Sequence, residues 1–565
     1  MIIGLDVGGT HTDVALLGDE GLLKQAKVPT DSENLLECVR AGLRKVTEGV
    51  SPESIRRMVL STTLTTNAIA ENKLAPVGMI VSSGPGLDPE YFRTGEHYYA
   101  VSGSIDHRGR EIQPVNEMEI EAVGSRLRRE GIRRVGVVSK FSTRNPKHET
   151  RIQEILGEDF DYILKGHLVS GSLNFPRRIA TTYLNAAVHS VYRKFFQAVR
   201  TGLKEEGLDI PIYILKADGG TMSLESSLSY PGQTILSGPA ASVMGALPFA
   251  SSENETLVLD IGGTTTDMAV FIRHDPLLEP WGIELGGYKT LIRALRSKPI
   301  GLGGDSAVRV EDGRLRLGPD RMGPALAYGG PAPTPTDALV VMGRIAEGDR
   351  EASRRGLEGI AGELGLSVEE TAKEIFETAC YKILDAAALM IEDINSRPVY
   401  TIRELMEGHK VNPSEILVLG GPAPYFAEGL ASLSDYDVGV VPQWQVANAI
   451  GAALARTTCE LTLFVDTERG MAAAPEEEFH QPVKGDFTRE AAVELAGELL
   501  RAKALREGAD AEDLEVELLE ELQFNMVRGF YTTGRNIRVK VQVKPGMIHR
   551  YCNMAPTMHE GEKLC

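Results

Sequence analysis

One short pattern occurs twice in this chain and limits its fold more than any other feature. Near the start, the apolar run from Ile2 leads into Asp6-Val-Gly-Gly-Thr-His-Thr-Asp13 and then into a second apolar run. Further on, Leu257-Val-Leu leads into Asp260-Ile-Gly-Gly-Thr-Thr-Thr-Asp267, again followed by apolar residues. Each copy reads as a β-hairpin with a glycine-rich tip. Two copies of D-x-G-G-T-x-T-D so far apart are no solenoid repeat; they describe a chain built as two similar halves.

The chemistry of such a tip follows from its residue types. Gly8 and Gly9, like Gly262 and Gly263, have no Cβ, so backbone N–H groups can approach a phosphate closely. The hydroxyls of Thr10, Thr12, Thr264, Thr265 and Thr266 add donors, though a β-branched strand residue is an equally good account of each threonine. His11 sits inside the first loop, where it can reach phosphate or serve structure. Asp6 and Asp260 end their apolar runs at the glycines, placed to hold Mg²⁺ through water. One of the two is also the candidate to deprotonate an attacking group. Asp13 and Asp267 are read as caps or metal neighbours, with a structural role at least as good.

The rest of the chain fits an α/β plan. Strands are expected at 131–139, 212–215 and 415–419, and helices at 178–205 and 367–392. The second helix carries a Ser367/Glu370 capping box and an apolar face through Ala372, Ile375, Phe376, Ala379, Ile383 and Ala387. Alternating strands and helices imply largely parallel sheets with ligand loops at the strand C-termini. The Gly/Pro-rich stretch from Gly301 to Asp337 is too long for a simple connection and reads as a functional loop or lid. Beyond about residue 455 the character changes. Residues 509–522 are strongly acidic, which a solvated helix face would explain, and 536–544 alternate as a half-exposed strand. The expected division is 1–175, 176–458 and a small α+β unit at 459–565.

Composition narrows the partners. The 565 residues carry a net charge of −19, so a nucleic-acid backbone would be repelled on average and no nucleic-acid partner is expected. No apolar run is long enough for a membrane span, and the strand-like opening lacks the basic region of a secretory leader. The five cysteines, Cys38, Cys380, Cys459, Cys552 and Cys565, are scattered and odd in number. A reducing, cytoplasmic setting is the expectation. His549, Cys552, His559 and Cys565 are zinc-type donors, but the last is the terminal residue and no metal is expected there.

The paired hairpins, with the Gly420-Gly-Pro422 loop after a late strand, resemble the actin/Hsp70/sugar-kinase ATPase superfamily. Within it the sequence is similar to the hydantoinase A/5-oxoprolinase family. The matching stretches run in order: Asp6–Asp13, Ser61–Ala70, Leu236–Ala246, Asp260–Asp267, Gly301–Ser306, Pro333–Asp337 and Gly420–Pro424. Ser61 stands where the family pattern has a histidine ahead of Thr-Thr. The resemblance implies two RNase H-like ATPase domains around a nucleotide cleft, with ATP and Mg²⁺ bound there. It implies that Gly420, Gly421 and Pro422 back the adenosine, and that Gly303, Gly304 and Asp305 face phosphate or substrate across the cleft. It also favours Thr62, Thr63, Thr66 and Asn67 as donors to a small carbonyl substrate over a helix N-cap cluster.

The implied activity is ATP-dependent hydrolysis of a small cyclic amide through phosphorylation of its carbonyl oxygen, with a hydantoinase B-like partner subunit or a homo-oligomer as possible assemblies. Two alternatives stand beside it: activation of a ketone or other carbonyl for carboxylation, and a nucleotide-driven switch acting on a protein. Two further residues are weaker candidates: Asp218 with Gly219 and Gly220, read as a turn, and Lys140, read as solvated.

Overall fold

The computed structural model describes residues 1–31, 34–279, 281–396 and 410–548. Both hairpins form. Ile2–Val7 pairs antiparallel with His11–Gly18, bringing Asp6 opposite Asp13. Glu255–Ile261 pairs in the same way with Thr266–Ile272, bringing Asp260 opposite Asp267.

Each hairpin seeds a mixed sheet. In the first the strand order is 221–223, 212–215, 57–62, 2–7, 11–18, 21–29, with 2–7, 57–62 and 212–215 parallel. In the second it is 275–276, 266–272, 255–261, 415–419, 437–440, with the last three parallel. This shared plan, an antiparallel hairpin continued by parallel strands, makes the molecule an α/β protein with two similar actin-like domains. A four-stranded parallel sheet built from 78–165 is inserted in the first domain.

The sheets move one expected boundary. Strands 212–215 and 221–223 complete the first sheet, and residues 192–203 of the helix Phe175–Glu205 pack into that domain's core. The first domain therefore does not end at 175. A parallel strand is usually reached through a helical crossover, so the helix and the strand after it belong to one unit.

Strand alternation explains where the two loops point. Ile3, Leu5 and Val7 face the core of the first domain, and Leu257, Leu259 and Ile261 that of the second. The opposite faces carry Ile2, Gly4 and Asp6 on one strand, Val258 and Asp260 on the other. Those faces meet a shared core built on the helices Ser237–Ala246 and Ala447–Leu454. With a period of two, an aspartate at each strand end must point toward these helices. Glycine sets the spacing. A Cβ on Gly4 would lie 1.9 Å from the Ala449 carbonyl oxygen, and one on Gly451 would lie 2.3 Å from that of Ala241. Such contacts are far inside van der Waals distance, so only glycine lets the helices seat this close.

The C-terminal region forms a five-stranded antiparallel sheet in the order 479–482, 471–474, 460–466, 531–543, 516–528. The helix Arg489–Arg506 covers one face through Ala492, Ala496, Leu500 and Ala504. The acidic run is not a helix face. From Val516 it is an edge strand, because it pairs with the alternating strand Tyr531–Val543 and tertiary pairing overrides local propensity. The 301–337 stretch is ordered. It contains the hairpin 308–317 and ends in the helix Pro335–Val341. No helix among the described residues is long and apolar enough to cross a membrane.

Candidate active site

The two glycine tips are closed alike. The Gly8 N–H donates to the His11 carbonyl at 3.0 Å, and the Gly262 N–H to the Thr265 carbonyl at 2.9 Å. Gly9, Thr10, His11, Thr264 and Thr265 are exposed at the tips. Thr12 and Thr266 are not. Both are fully buried, the first bonded to the Thr30 hydroxyl at 2.9 Å and the second donating to the Leu302 carbonyl at 2.7 Å. The expectation that they donate to phosphate is corrected. The strand pleat turns alternate side chains inward, and their hydroxyls are committed to the fold.

Asp6 and Asp260 come together at the mouth between the domains. The Asn448 amide donates to Asp6 Oδ2 at 3.4 Å and lies close enough to Asp260 to stabilise its carboxylate. The Ser242 hydroxyl donates to Asp260 Oδ2. Burial pushes the Asp6 carboxyl up to about 6; Asp13 and Asp260 push the same way, while Ser61 and Asn448 pull it down. Burial also raises Asp260, with Ser242 and Asn448 opposing. Asp267 is pushed up to about 7 by burial and by the charge of Asp260. Asp13 is held by Lys27 at 2.7 Å, a structural pairing, although burial still raises it. Crowded, desolvated carboxylates of this kind favour a cation. Asp6 Oδ1 is buried without a hydrogen-bond partner among the described residues. The donor set, hard oxygens only, suits Mg²⁺.

The late loops close on the second tip. Gly304 N–H donates to the Gly262 carbonyl at 2.9 Å and Asp305 N–H to that of Gly263 at 2.7 Å. A Cβ on Gly303 would lie 2.5 Å from the Gly262 oxygen. Asp305 is raised by burial and drawn back by Arg321 at 3.0 Å. Gly420, at φ +97°, turns against the same site, since a Cβ there would lie 2.6 Å from Asp260 Oδ1. Gly421 is exposed beside it, and Pro422 comes near Gly304.

Thr63 and Asn67 lie at the first tip. Thr63 Oγ1 contacts the Val7 carbonyl at 3.5 Å and receives the Asn67 amide at 3.3 Å. Thr62 is fully buried, its hydroxyl accepting from Leu64 N–H, and Thr66 accepts from Leu236 N–H. Thr62 is thus removed as a donor to substrate, because it is the last residue of the strand, one before Thr63, and faces inward. Asp218 is buried in a turn, bonded to Gly220 N–H and Thr458. Lys140 donates to the Pro85 carbonyl at 3.3 Å and lies over the Phe141 ring. Residues 549–565, with His549, Cys552, His559 and Cys565, lie outside the described residues.

Family models decide the kinship. The hydantoinase/oxoprolinase N-terminal region matches residues 2–160, and the hydantoinase/oxoprolinase model matches 178–461. The chain belongs to the hydantoinase/oxoprolinase family. Among its relatives, caprolactamase subunit alpha of Pseudomonas jessenii is 25% identical over 66% of this chain and 60% of its own length. The acetophenone carboxylase gamma subunit of Aromatoleum aromaticum is 25% identical over 93% of this chain and 77% of its own length. The crystal structure of an ATP-dependent caprolactamase from Pseudomonas jessenii superposes with a TM-score of 0.72 at 20% identity, covering 97% of this chain and 88% of that one.

In this member of the hydantoinase/oxoprolinase family, Asn448, Ser242, Lys27 and Arg321 escaped the sequence reading. Ser242 lies inside a matching stretch but reads there as one small residue among several. Asn448 has no local signal. Its place between two aspartates from strands far apart in sequence exists only after the domains meet.

Proposed function

We propose that this chain uses ATP to activate the carbonyl of a small cyclic amide for hydrolysis. The observation that carries the reading is the convergence of two glycine tips on Asp6 and Asp260, with the Asn448 amide on Asp6 and within reach of the Asp260 charge. Exposed Thr10, Thr264 and Thr265, with the backbone N–H groups of Gly9 and Gly263, are the donors for phosphate oxygens. Gly420, Gly421 and Pro422 form the floor for the nucleoside. Asp6 and Asp260 would hold Mg²⁺, which when bound neutralises phosphate charge.

An amide carbonyl is a poor electrophile. Transfer of the γ-phosphoryl group to its oxygen forms an O–P bond and breaks the bond to ADP. Water then adds to the carbon, the ring C–N bond opens, and phosphate leaves. Asp6 Oδ1, on a carboxyl poised near 6, is suited to take the water's proton. Thr63 and Asn67 orient the carbonyl. Closure of the two domains excludes bulk water, which would otherwise consume the activated ester.

A second reading rests on the acetophenone carboxylase gamma subunit, whose match covers more of both chains. In that reading the same site activates a ketone. Several relatives are subunits of larger enzymes, so a partner subunit completing the reaction belongs to either reading.

The test is ADP release with Mg²⁺-ATP against a panel of 5-oxoproline, hydantoin, caprolactam, acetone and acetophenone. Stimulation by a cyclic amide supports the proposal. Stimulation only by a ketone selects the second reading. Absence of nucleotide binding removes both.

A further inference from the structure

The C-terminal unit meets the lobe inserted in the first domain at three turns. The turn 106–109 joins strands 104–105 and 111–113, residues 143–145 follow strand 134–139, and 466–471 joins two strands of the C-terminal sheet. Glycine seats them. Gly109 stands at φ +78°, and a Cβ on it would lie 2.9 Å from the Arg144 carbonyl oxygen and 3.1 Å from Arg469 Nη1. The Asn145 amide donates to the Gly109 carbonyl at 2.9 Å, and Arg469 Nη1 donates to the Arg108 carbonyl. Here lies a cavity of about 220 Å³, room for roughly seven waters at about 30 Å³ each. None of its lining residues belongs to the site of Asp6 and Asp260.

The wall is charged one way. Arg108, Arg144, Arg469 and Arg528 line it with a single acid, Asp466, in a chain whose net charge is −19. Nearby acids are spent elsewhere: Asp106 on Arg110 at 2.8 Å and Glu468 on Arg528 at 2.7 Å. Asp466 Oδ1 accepts from the Arg469 backbone N–H at 3.0 Å. Arg108 and Arg144 are half-buried, and their side chains have no hydrogen-bond or ion-pair partner among the described residues. Only Nε of Arg144 is sealed in the wall; its two terminal nitrogens, and all three nitrogens of Arg108, are open to solvent. Arg144 stands over the Phe464 ring, 4.2 Å from its centre, a contact that positions a guanidinium without using its N–H donors. Burial pushes the Arg144 guanidinium down from its ordinary value, Arg538 pushes the same way, and Asp466 opposes them. Half-buried positive charge without a counter-charge favours an anion. Phosphate answers two open forks best, because it brings close to two negative charges and three acceptor oxygens. Met471, Met526 and Val527 add an apolar side to the same cavity, which a bare ion would leave uncovered.

We infer that this cavity binds a small molecule joining a phosphate group to a short apolar body, the phosphate on the open nitrogens of Arg108 and Arg144 and the body against Met471, Met526 and Val527. Such a ligand touches the inserted lobe and the C-terminal unit at once, so it ties the two together and stabilises the folded chain in proportion to its occupancy. The site is separate from the nucleotide loops, and its occupancy does not rest on the proposed function.

The experiment is calorimetric titration of the full chain with phenyl phosphate, inorganic phosphate and benzoate, in the absence of nucleotide and again with saturating Mg²⁺-ADP. Phenyl phosphate should bind at least about tenfold more tightly than inorganic phosphate, which lacks the apolar body, and than benzoate, which carries one charge. Its affinity should be unchanged by ADP, and it should raise the unfolding midpoint. Arg108→Met should lose at least about tenfold in affinity while keeping the wild-type unfolding midpoint, since the Arg108 side chain makes no bond to the described fold. Arg144→Lys, which keeps the charge and loses the fork, should bind less tightly than wild type and more tightly than Arg144→Met. Wild-type binding by Arg108→Met, displacement of phenyl phosphate by ADP, or equal affinity for benzoate or inorganic phosphate would overturn the inference. An absence of ATP turnover with every carbonyl compound, alongside phenyl phosphate binding that Arg108→Met abolishes, would leave this site standing while the proposed function fails.

Discussion

Asp6→Asn should make the ligand-free protein more stable while disabling it. The Asp6 side chain lies in a residue only 5% exposed, and its carboxyl is held at about 6 against an ordinary value of 3.8. At about 1.4 kcal/mol per pH unit, ionised Asp6 costs the fold about 3 kcal/mol. The sign follows from proton binding. Between pH 3.8 and 6 the folded chain keeps a proton that the unfolded chain has released, so stability falls as pH rises through that window. Below it the contribution is nil, and above it the full cost is present. Asparagine removes the charge and loses about 1 kcal/mol of hydrogen bonding with Asn448. Urea unfolding at about pH 8 should therefore show the variant more stable by about 2 kcal/mol. At about pH 4 the advantage should vanish. ATP turnover should meanwhile fall at least about a hundredfold, since the proposed base and metal-holding carboxylate has been lost. A variant less stable than wild type at both pH values would refute the reasoning, because it would mean that hydrogen bonds already compensate the carboxylate.

Three further outcomes are expected. Gly451→Ala places a Cβ 2.3 Å from both the Ala241 oxygen and the Gly245 nitrogen; it should destabilise by roughly 1–3 kcal/mol and lower kcat, because the displaced helices carry Ser242 and Asn448, as steady-state kinetics and thermal unfolding would show. Thr266→Val should cost about 1 kcal/mol of stability, for the lost bond to the Leu302 carbonyl, yet leave ATP affinity within about twofold, whereas Thr264→Val should weaken ATP binding with little effect on stability; nucleotide titration separates the two. Asn448→Asp adds a third carboxylate between Asp6 and Asp260 and should shift the acidic limb of the pH–rate profile upward; an unmoved limb would place Asn448 outside the electrostatics of the site.

The sequence by itself determined much of the fold. Two D-x-G-G-T-x-T-D hairpins, each opening a domain, follow from local residue types: apolar runs that pair, glycines that turn, aspartates at strand ends. The long helices at 175–205 and 368–396 were legible for the same reason, since a 3.6-residue period and a Ser367 capping box are properties of contiguous residues. What failed to show was whatever depends on which face meets what. Thr12, Thr62 and Thr266 carry the right chemistry in the right motif, but the pleat and the packing turn their hydroxyls into the protein. The acidic stretch from Val516 is a strand because a distant strand pairs with it. Asn448 belongs to no motif. It gains its place only when the two domains bring Asp6 and Asp260 to its neighbourhood. Hairpins and helices are written by neighbours in sequence; charge, burial and unsatisfied donors are properties of neighbours in space, and only the tertiary structure decides them.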